Sequence, residues 1–222
     1  MLATVLLIVV VAGLQGRLQA QSTPPTPAPP RHGRLFPPID LGLLERPDRA
    51  LWQKPEQIMD ALHVADGSTV ADFGAGAGWF TIRLAQRVGP KGIVYAQDVQ
   101  RLMIEAIKRR VDREGLQNVH TRLGSGSNPN LPIGALDAVL VVDAYQEVPV
   151  EDRVPLLRNL ARTLKPMGRI GIVIWKPGRG GPGPEPNERV ERSAVEADAA
   201  AAHLRIVGSE NLPYQYLLVL AP

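Results

Sequence analysis

The chain has 222 residues, 45% hydrophobic and 21% charged, and these proportions fit a single ordinary globular domain behind a short leader. A net charge of +3 with no concentrated basic run, and only 5% aromatic residues, argues against a nucleic-acid partner. The absence of cysteine excludes disulfides, thiolate metal sites and thiol nucleophiles, and the scattered His32, His63, His120 and His203 give no reason to expect a metal site.

Leu2 to Leu14 is almost wholly apolar, the length of a signal-peptide core and short for a membrane span. Ala20 is well placed as the last residue before a cleavage point. Residues 1–20 are therefore expected to be a signal peptide or an uncleaved anchor, with membrane association through residues 2–14 in the second case. The protein is then exported or held in the cell envelope (periplasmic); without a working signal it is cytoplasmic. Seven of the 18 residues from Gln21 to Pro38 are proline, so residues 21–39 read as an extended, disordered linker. The folded domain is expected over residues 40–222.

Within it, Trp52 to Leu62 carries a helical stripe, with Pro55 suited to a first turn. Thr69 to Phe73 is a short strand that runs into glycines, and Thr81 to Val88 is a helix stopped by Gly89-Pro90. The alternation continues with a strand at Ile93–Gln97 ending at Asp98, a helix at Arg101–Arg113, a strand at Val119–Leu123 and an apolar strand at Leu136–Val142. A helix at Val154–Leu164, a buried strand at Arg169–Trp175, a Gly/Pro loop over 176–187 and a helix at Glu188–Ala202 follow. His203–Ser209 and Tyr214–Leu220 are the last two strands. Strands that alternate with helices imply a parallel sheet covered on both faces. The last two strands have too short a link for a parallel crossover and must pair antiparallel. The fold class is α/β, a Rossmann-like doubly wound sheet, mostly parallel with one antiparallel strand near the end.

The most informative segment is Val70-Ala71-Asp72-Phe73-Gly74-Ala75-Gly76-Ala77-Gly78-Trp79-Phe80. Glycine allows the tight turn and lets a ligand approach the backbone, and the following helix offers free N–H groups. A dinucleotide fingerprint would place glycine three residues after Gly76, where Trp79 stands. An acid beside the turn, Asp72, suits a cation such as an α-amino group better than a phosphate. Lys108-Arg109-Arg110, with acids around it, reads as a solvated helix face.

This D-x-G-x-G-x-G segment resembles motif I of the class I S-adenosylmethionine-dependent methyltransferases, and the resemblance extends over most of residues 50–222. It implies that Asp72 holds the methionine amino group and that Phe73, Gly74 and Gly76 line the methionine part, with Gly78 completing the motif. Asp98, 20 residues beyond Gly78, matches the acid that grips both ribose hydroxyls, and Val99 packs against adenine. Leu164-Lys165-Pro166-Met167-Gly168 looks like the family's turn before the fifth strand. A W-Q-x-P segment, Trp52 to Pro55, is similar to one found before motif I in some bacterial members. Gly124-Ser125 stands where many members carry Gly-Asp, whose carboxylate reaches the adenine amino group, so Ser125 occupies that cofactor position. Gln146 stands where many carry histidine, which excludes a histidine base there.

Asp143, Tyr145 and Glu147 follow the fourth strand, at the sheet edge where open α/β folds bind ligands. Asp143 is expected at the cofactor and Glu147 or Tyr145 as the group that takes a proton. The function implied by the resemblance is S-adenosylmethionine-dependent methyl transfer to a small-molecule acceptor. A non-catalytic binding protein for S-adenosylmethionine or S-adenosylhomocysteine, serving as sensor or scaffold in the envelope, is the alternative from another class. An aminopropyl transferase shares the fold but normally needs more acids around the site.

Overall fold

The computed structural model describes residues 35–222 apart from Arg179. The expected signal or anchor, and the linker up to residue 34, lie outside the described residues. Seven strands form one sheet: β1 Thr69–Phe73, β2 Ile93–Asp98, β3 Val119–Leu123, β4 Leu136–Val142, β5 Leu164–Trp175, β6 Arg205–Asn211 and β7 Gln215–Ala221. Their order is β3-β2-β1-β4-β5-β7-β6. All pairings are parallel except those of β7, which is antiparallel to both β5 and β6. The doubly wound, mostly parallel sheet with one antiparallel strand is the expected fold.

Alternate residues of the strands feed opposite faces. Val139 and Val141 of β4 join one core with Leu156, Leu160 and Val195 from α5 (Val150–Thr163) and α6 (Arg192–Ala201). Ala138, Leu140 and Val142 join the other, with Ile58 and Leu62 of the α2 region (Pro55–Ala61) and Leu84 and Val88 of α3 (Trp79–Val88). Helix α4 (Arg101–Arg113) adds Ile104, Ile107 and Val111 beside α3.

Three elements depart from the expected bounds, two of them for local reasons. The single helix expected over Trp52–Leu62 is two helices, α1 (Arg49–Gln53) and α2, broken at Lys54 in the left-handed region (φ 53°). Proline disfavours the α conformation in the residue before it, so Pro55 opens a new helix. Strand β5 starts at Leu164, not Arg169, because the Lys165–Gly168 stretch bulges out: the register with β4 jumps from Leu136↔Leu164 to Ala138↔Arg169. Helix α5 starts four residues earlier than expected, with Pro155 inside it.

The linker boundary at residue 39 also needs correction. A 3-10 helix covers Pro38–Glu45. Before it, the Phe36 carbonyl accepts from the Gln100 side chain at 3.0 Å. Residues 36–38 are therefore half-buried against the domain.

Candidate functional site

The parallel register brings the carboxyl ends of β1, β2 and β4 level: Phe73 pairs with Gln97 on one side and Val141 on the other. The chain order reverses between β1 and β4, so a crevice opens there. It is a cavity of about 920 Å³, lined by the glycine loop, the ends of β2, β4 and β5, the 3-10 segment and part of the Gly/Pro loop.

Asp72 is buried at the tip of β1, and the Thr81 hydroxyl, one turn into α3, donates to it at 2.6 Å. Burial pushes its carboxyl up to about 6, opposed by the Thr81 hydrogen bond and the charge of Arg49. Asp98 ends β2, and its two oxygens accept from the backbone N–H groups of Gly76 at 3.0 Å and Gln100 at 2.9 Å. Burial raises its pKa against those bonds. Gly74 has φ +67°, and a Cβ there would lie 2.5 Å from the Cβ of Ala144. Only glycine lets the loop pass that close to the chain leaving β4. Phe73, Val99 and Ser125 also line the cavity.

Two of the expected site residues lie elsewhere. Gly78 is the residue before α3, and its Cβ position faces Ile107 of α4 at 3.4 Å, away from the cavity lining. Its φ of +79°, not a close contact, is what favours glycine there. Tyr145 is fully buried in the core, where its hydroxyl donates to Asp198 of α6 at 2.8 Å. Burial and the Asp198 carboxylate raise its pKa, and Tyr145 is not among the residues that line the cavity. Its neighbour Glu147 does line the cavity and accepts from the Phe36 N–H at 3.1 Å. Burial pushes the Glu147 carboxyl up to about 7, opposed by the Phe36 bond and reinforced by the charges of Asp98 and Asp143.

Sequence reasoning placed Asp143 but missed what holds it. Asp143 has φ 56°, and its carboxylate accepts from Gln53 at 3.1 Å and from Gln215. Arg49 lies 3.8 Å away, donates to Gln53 and to the Leu44 carbonyl at 2.6 Å, and stacks 4.4 Å from the Trp79 ring centroid. Burial raises Asp143 in pKa and lowers Arg49, each opposed by the other's charge. The W-Q-x-P segment held the signal for Gln53; nothing local marked Gln215. Trp79, the residue that broke the dinucleotide pattern, is the platform for Arg49. Arg110 is likewise more than a solvated cation, because it reaches Glu45 at 2.6 Å and ties the 3-10 segment to α4. Gln97 holds the Gly74 N–H through its carbonyl oxygen at 3.3 Å, while its buried Nε2 has no partner.

The fold, the paired strand-tip acids and the glycine loop define a Rossmann-like, nucleoside-binding class of protein. Residues 70–168 match the family model for a methyltransferase domain. The chain is 32% identical over 162 residues to nocamycin O-methyltransferase of Saccharothrix syringae, covering 68% of this chain and 54% of that one. It is 30% identical over 115 residues to demethylmenaquinone methyltransferase of a Geobacillus species, covering 52% and 48%. A solved structure, a SAM-dependent methyltransferase from Aquifex aeolicus, superposes with a TM-score of 0.78 at 28% identity, covering 84% of this chain and 98% of that one. The chain is thus similar in sequence and in fold to class I S-adenosylmethionine-dependent methyltransferases. It spans about half the length of the curated relatives it matches.

The residues present fit that cofactor. Buried acids flank a glycine loop, an unpartnered buried amide donor lies beside it, and the cavity opens between them.

Proposed function

We propose that this protein transfers a methyl group from S-adenosylmethionine to a small-molecule acceptor. The observation that carries this reading is the pair Asp72 and Asp98, at the tips of adjacent parallel strands on either side of the Gly74–Gly76 turn, both open to one cavity. Asp72 suits the cofactor's α-amino group, Asp98 the two ribose hydroxyls and Val99 the adenine face, with Ser125 at the edge of the adenine site. Arg49, which lines the same cavity, is a suitable cation for the cofactor's carboxylate. The names of the two curated relatives, one an O-methyltransferase and one acting on demethylmenaquinone, support a small acceptor.

When bound, the cofactor supplies a methyl group already activated on a sulfonium. The protein's part is to align the acceptor in line with it, exclude water and remove a proton where the acceptor carries one. Glu147, with its raised pKa, is suited to take that proton near neutral pH. Calorimetry of the full chain with S-adenosylhomocysteine tests the cofactor site, and formation of that product on adding an acceptor tests transfer. Binding without turnover across a broad acceptor panel would favour a sensor instead.

We also propose export to the cell envelope, on the apolar run Leu2 to Leu14 and Ala20. Mass spectrometry of the native protein from fractionated cells checks this: a mature start at Gln21 supports it, and a soluble cytosolic species starting near Leu35 overturns it.

A further inference from the structure

The charge around the cavity limits the chemistry of the acceptor. Among the described residues, six carboxylates line it against two arginines, Arg46 and Arg49. Both arginines are engaged, Arg46 with Asp48 at 3.1 Å and Arg49 with Gln53, Leu44 and Asp143. In the reading above, Asp72 and Asp98 are used by the cofactor. Asp143 faces Arg49 and Glu188 is engaged elsewhere, which leaves two lining carboxylates with no cation among the described residues. Among the described residues Glu147 receives only the Phe36 N–H, and Asp152, in the first turn of α5, makes no ion pair. The adjacent Arg153 does not serve them: its Nε donates to the Val148 carbonyl at 3.2 Å and its guanidinium lies 5.4 Å from the Tyr145 ring centroid. The same cavity also carries apolar lining from Phe36, Pro149, Trp175, Pro182 and Pro184.

An anion in this space would meet uncompensated like charge. A neutral molecule would strip water from the two carboxylates and return no charge for it. A cation on an apolar body satisfies both the acids and the walls. We propose that the acceptor is a primary or secondary amine, protonated in water, whose nitrogen is held by Glu147 and Asp152 and whose apolar body lies against Phe36 and Trp175. The proposal rests on the methyltransferase reading and names its substrate class.

The chemistry balances without a further reactant. The Glu147 carboxylate takes one proton from the ammonium group and frees the nitrogen lone pair. That pair forms the new carbon–nitrogen bond as the methyl–sulfur bond breaks with its electrons going to sulfur. The product is a methylated ammonium ion and S-adenosylhomocysteine, and Glu147 returns its proton to solvent. A carboxyl held near neutrality by its surroundings can do this in each cycle.

The test uses the full chain saturated with S-adenosylhomocysteine at pH 8, titrated with three probes of matched body: 2-phenylethylamine, 2-phenylethanol and 3-phenylpropanoate. The amine is expected to bind at least about tenfold more tightly than the alcohol, and the carboxylate most weakly. Glu147→Gln and Asp152→Asn should each shrink the preference for the amine while leaving affinity for S-adenosylhomocysteine unchanged. An amine that binds no better than the alcohol, absence of binding at millimolar concentration included, overturns the proposal, as does a preference that survives in both variants. Failure of S-adenosylhomocysteine itself to bind, seen in the preceding titration, would overturn the methyltransferase reading instead.

Discussion

Gln53 and Gln215 lie 162 positions apart and touch: the Gln53 amide donates to the Gln215 side-chain oxygen at 2.9 Å. Both are fully buried, and both also donate to the Asp143 carboxylate. The first helix, the end of β4 and the start of β7 are thus joined by one polar cluster behind the cavity. Gln215→Leu removes a bond from a desolvated carboxylate and leaves the Gln53 amide short of an acceptor. A loss of about 1–3 kcal/mol in stability is expected from chemical denaturation. Combining it with Gln53→Leu should cost clearly less than the sum of the two, and strict additivity would mean that the two glutamines act independently.

Asp98→Ala should weaken S-adenosylhomocysteine by about 2–4 kcal/mol, the worth of two charge-assisted bonds to ribose. It also frees the Gly76 and Gln100 N–H groups that the carboxylate now holds. Equal affinity of wild type and variant in calorimetry would remove the ribose assignment.

Gly74→Ala should lose cofactor binding, because the new Cβ would sit 2.5 Å from that of Ala144 at a φ of +67°. Pairing it with Ala144→Gly removes the clash but not the backbone strain. The double variant should therefore recover part of the thermal stability lost by the single one. No recovery at all would place the damage elsewhere than at this contact.

The raised pKa of Glu147 gives a signed expectation. Its folded value of about 7 lies above the ordinary 4.5, so the native state binds more protons than the unfolded chain between those values. Its contribution to stability is thus fully present below about pH 4.5 and is lost as pH rises toward 7. Glu147→Gln should flatten this fall in melting temperature between pH 5 and 8. If Glu147 is the base, kcat/KM of the wild type should rise with pH through about 7, and the rise should vanish in the variant.

Tyr145→Phe should leave methyl transfer nearly unchanged. It removes the hydroxyl that donates to Asp198 at 2.8 Å, at a cost of about 1 kcal/mol. A large drop in kcat with normal stability would return Tyr145 to the site.

Local signals in the sequence sufficed for the strands and the glycine loop because buried parallel strands are apolar runs, and Gly74 and Gly76 serve a turn whose demands are local. Asp72 and Asp98 were legible for the same reason: each ends a strand that can be recognised alone. Tyr145 and Glu147, two residues apart, defeated this reasoning. They leave the same short 3-10 turn on opposite sides, and only the packing of α6 against it decides which one faces the core. Gly78 looked like a member of the ligand loop because it shares the spacing, yet it lies outside the cavity lining, at the start of α3, where a φ of +79° favours glycine. Arg49 and Gln215 carry no local mark at all. Their roles come from long-range juxtaposition, as does that of Phe36, which a proline-rich composition assigned to a linker.

The position of β7 has a consequence for how the protein comes into being. It is the one strand that runs backwards, so its first residue, Gln215, arrives at the same end of the sheet as the strand tips that form the cavity. It also follows every other strand in chain order, yet lies inside the sheet between β5 and β6. A ribosome therefore delivers the glycine loop early and the support of Asp143 late. Until β7 is inserted, the wall behind the cavity lacks its final hydrogen bonds, and an emerging chain has no finished pocket in which to trap cofactor. Ligand capture then reports completion of the fold, and products cut short before β7 should be silent to S-adenosylhomocysteine even though every motif residue from Asp72 to Glu147 is present in them.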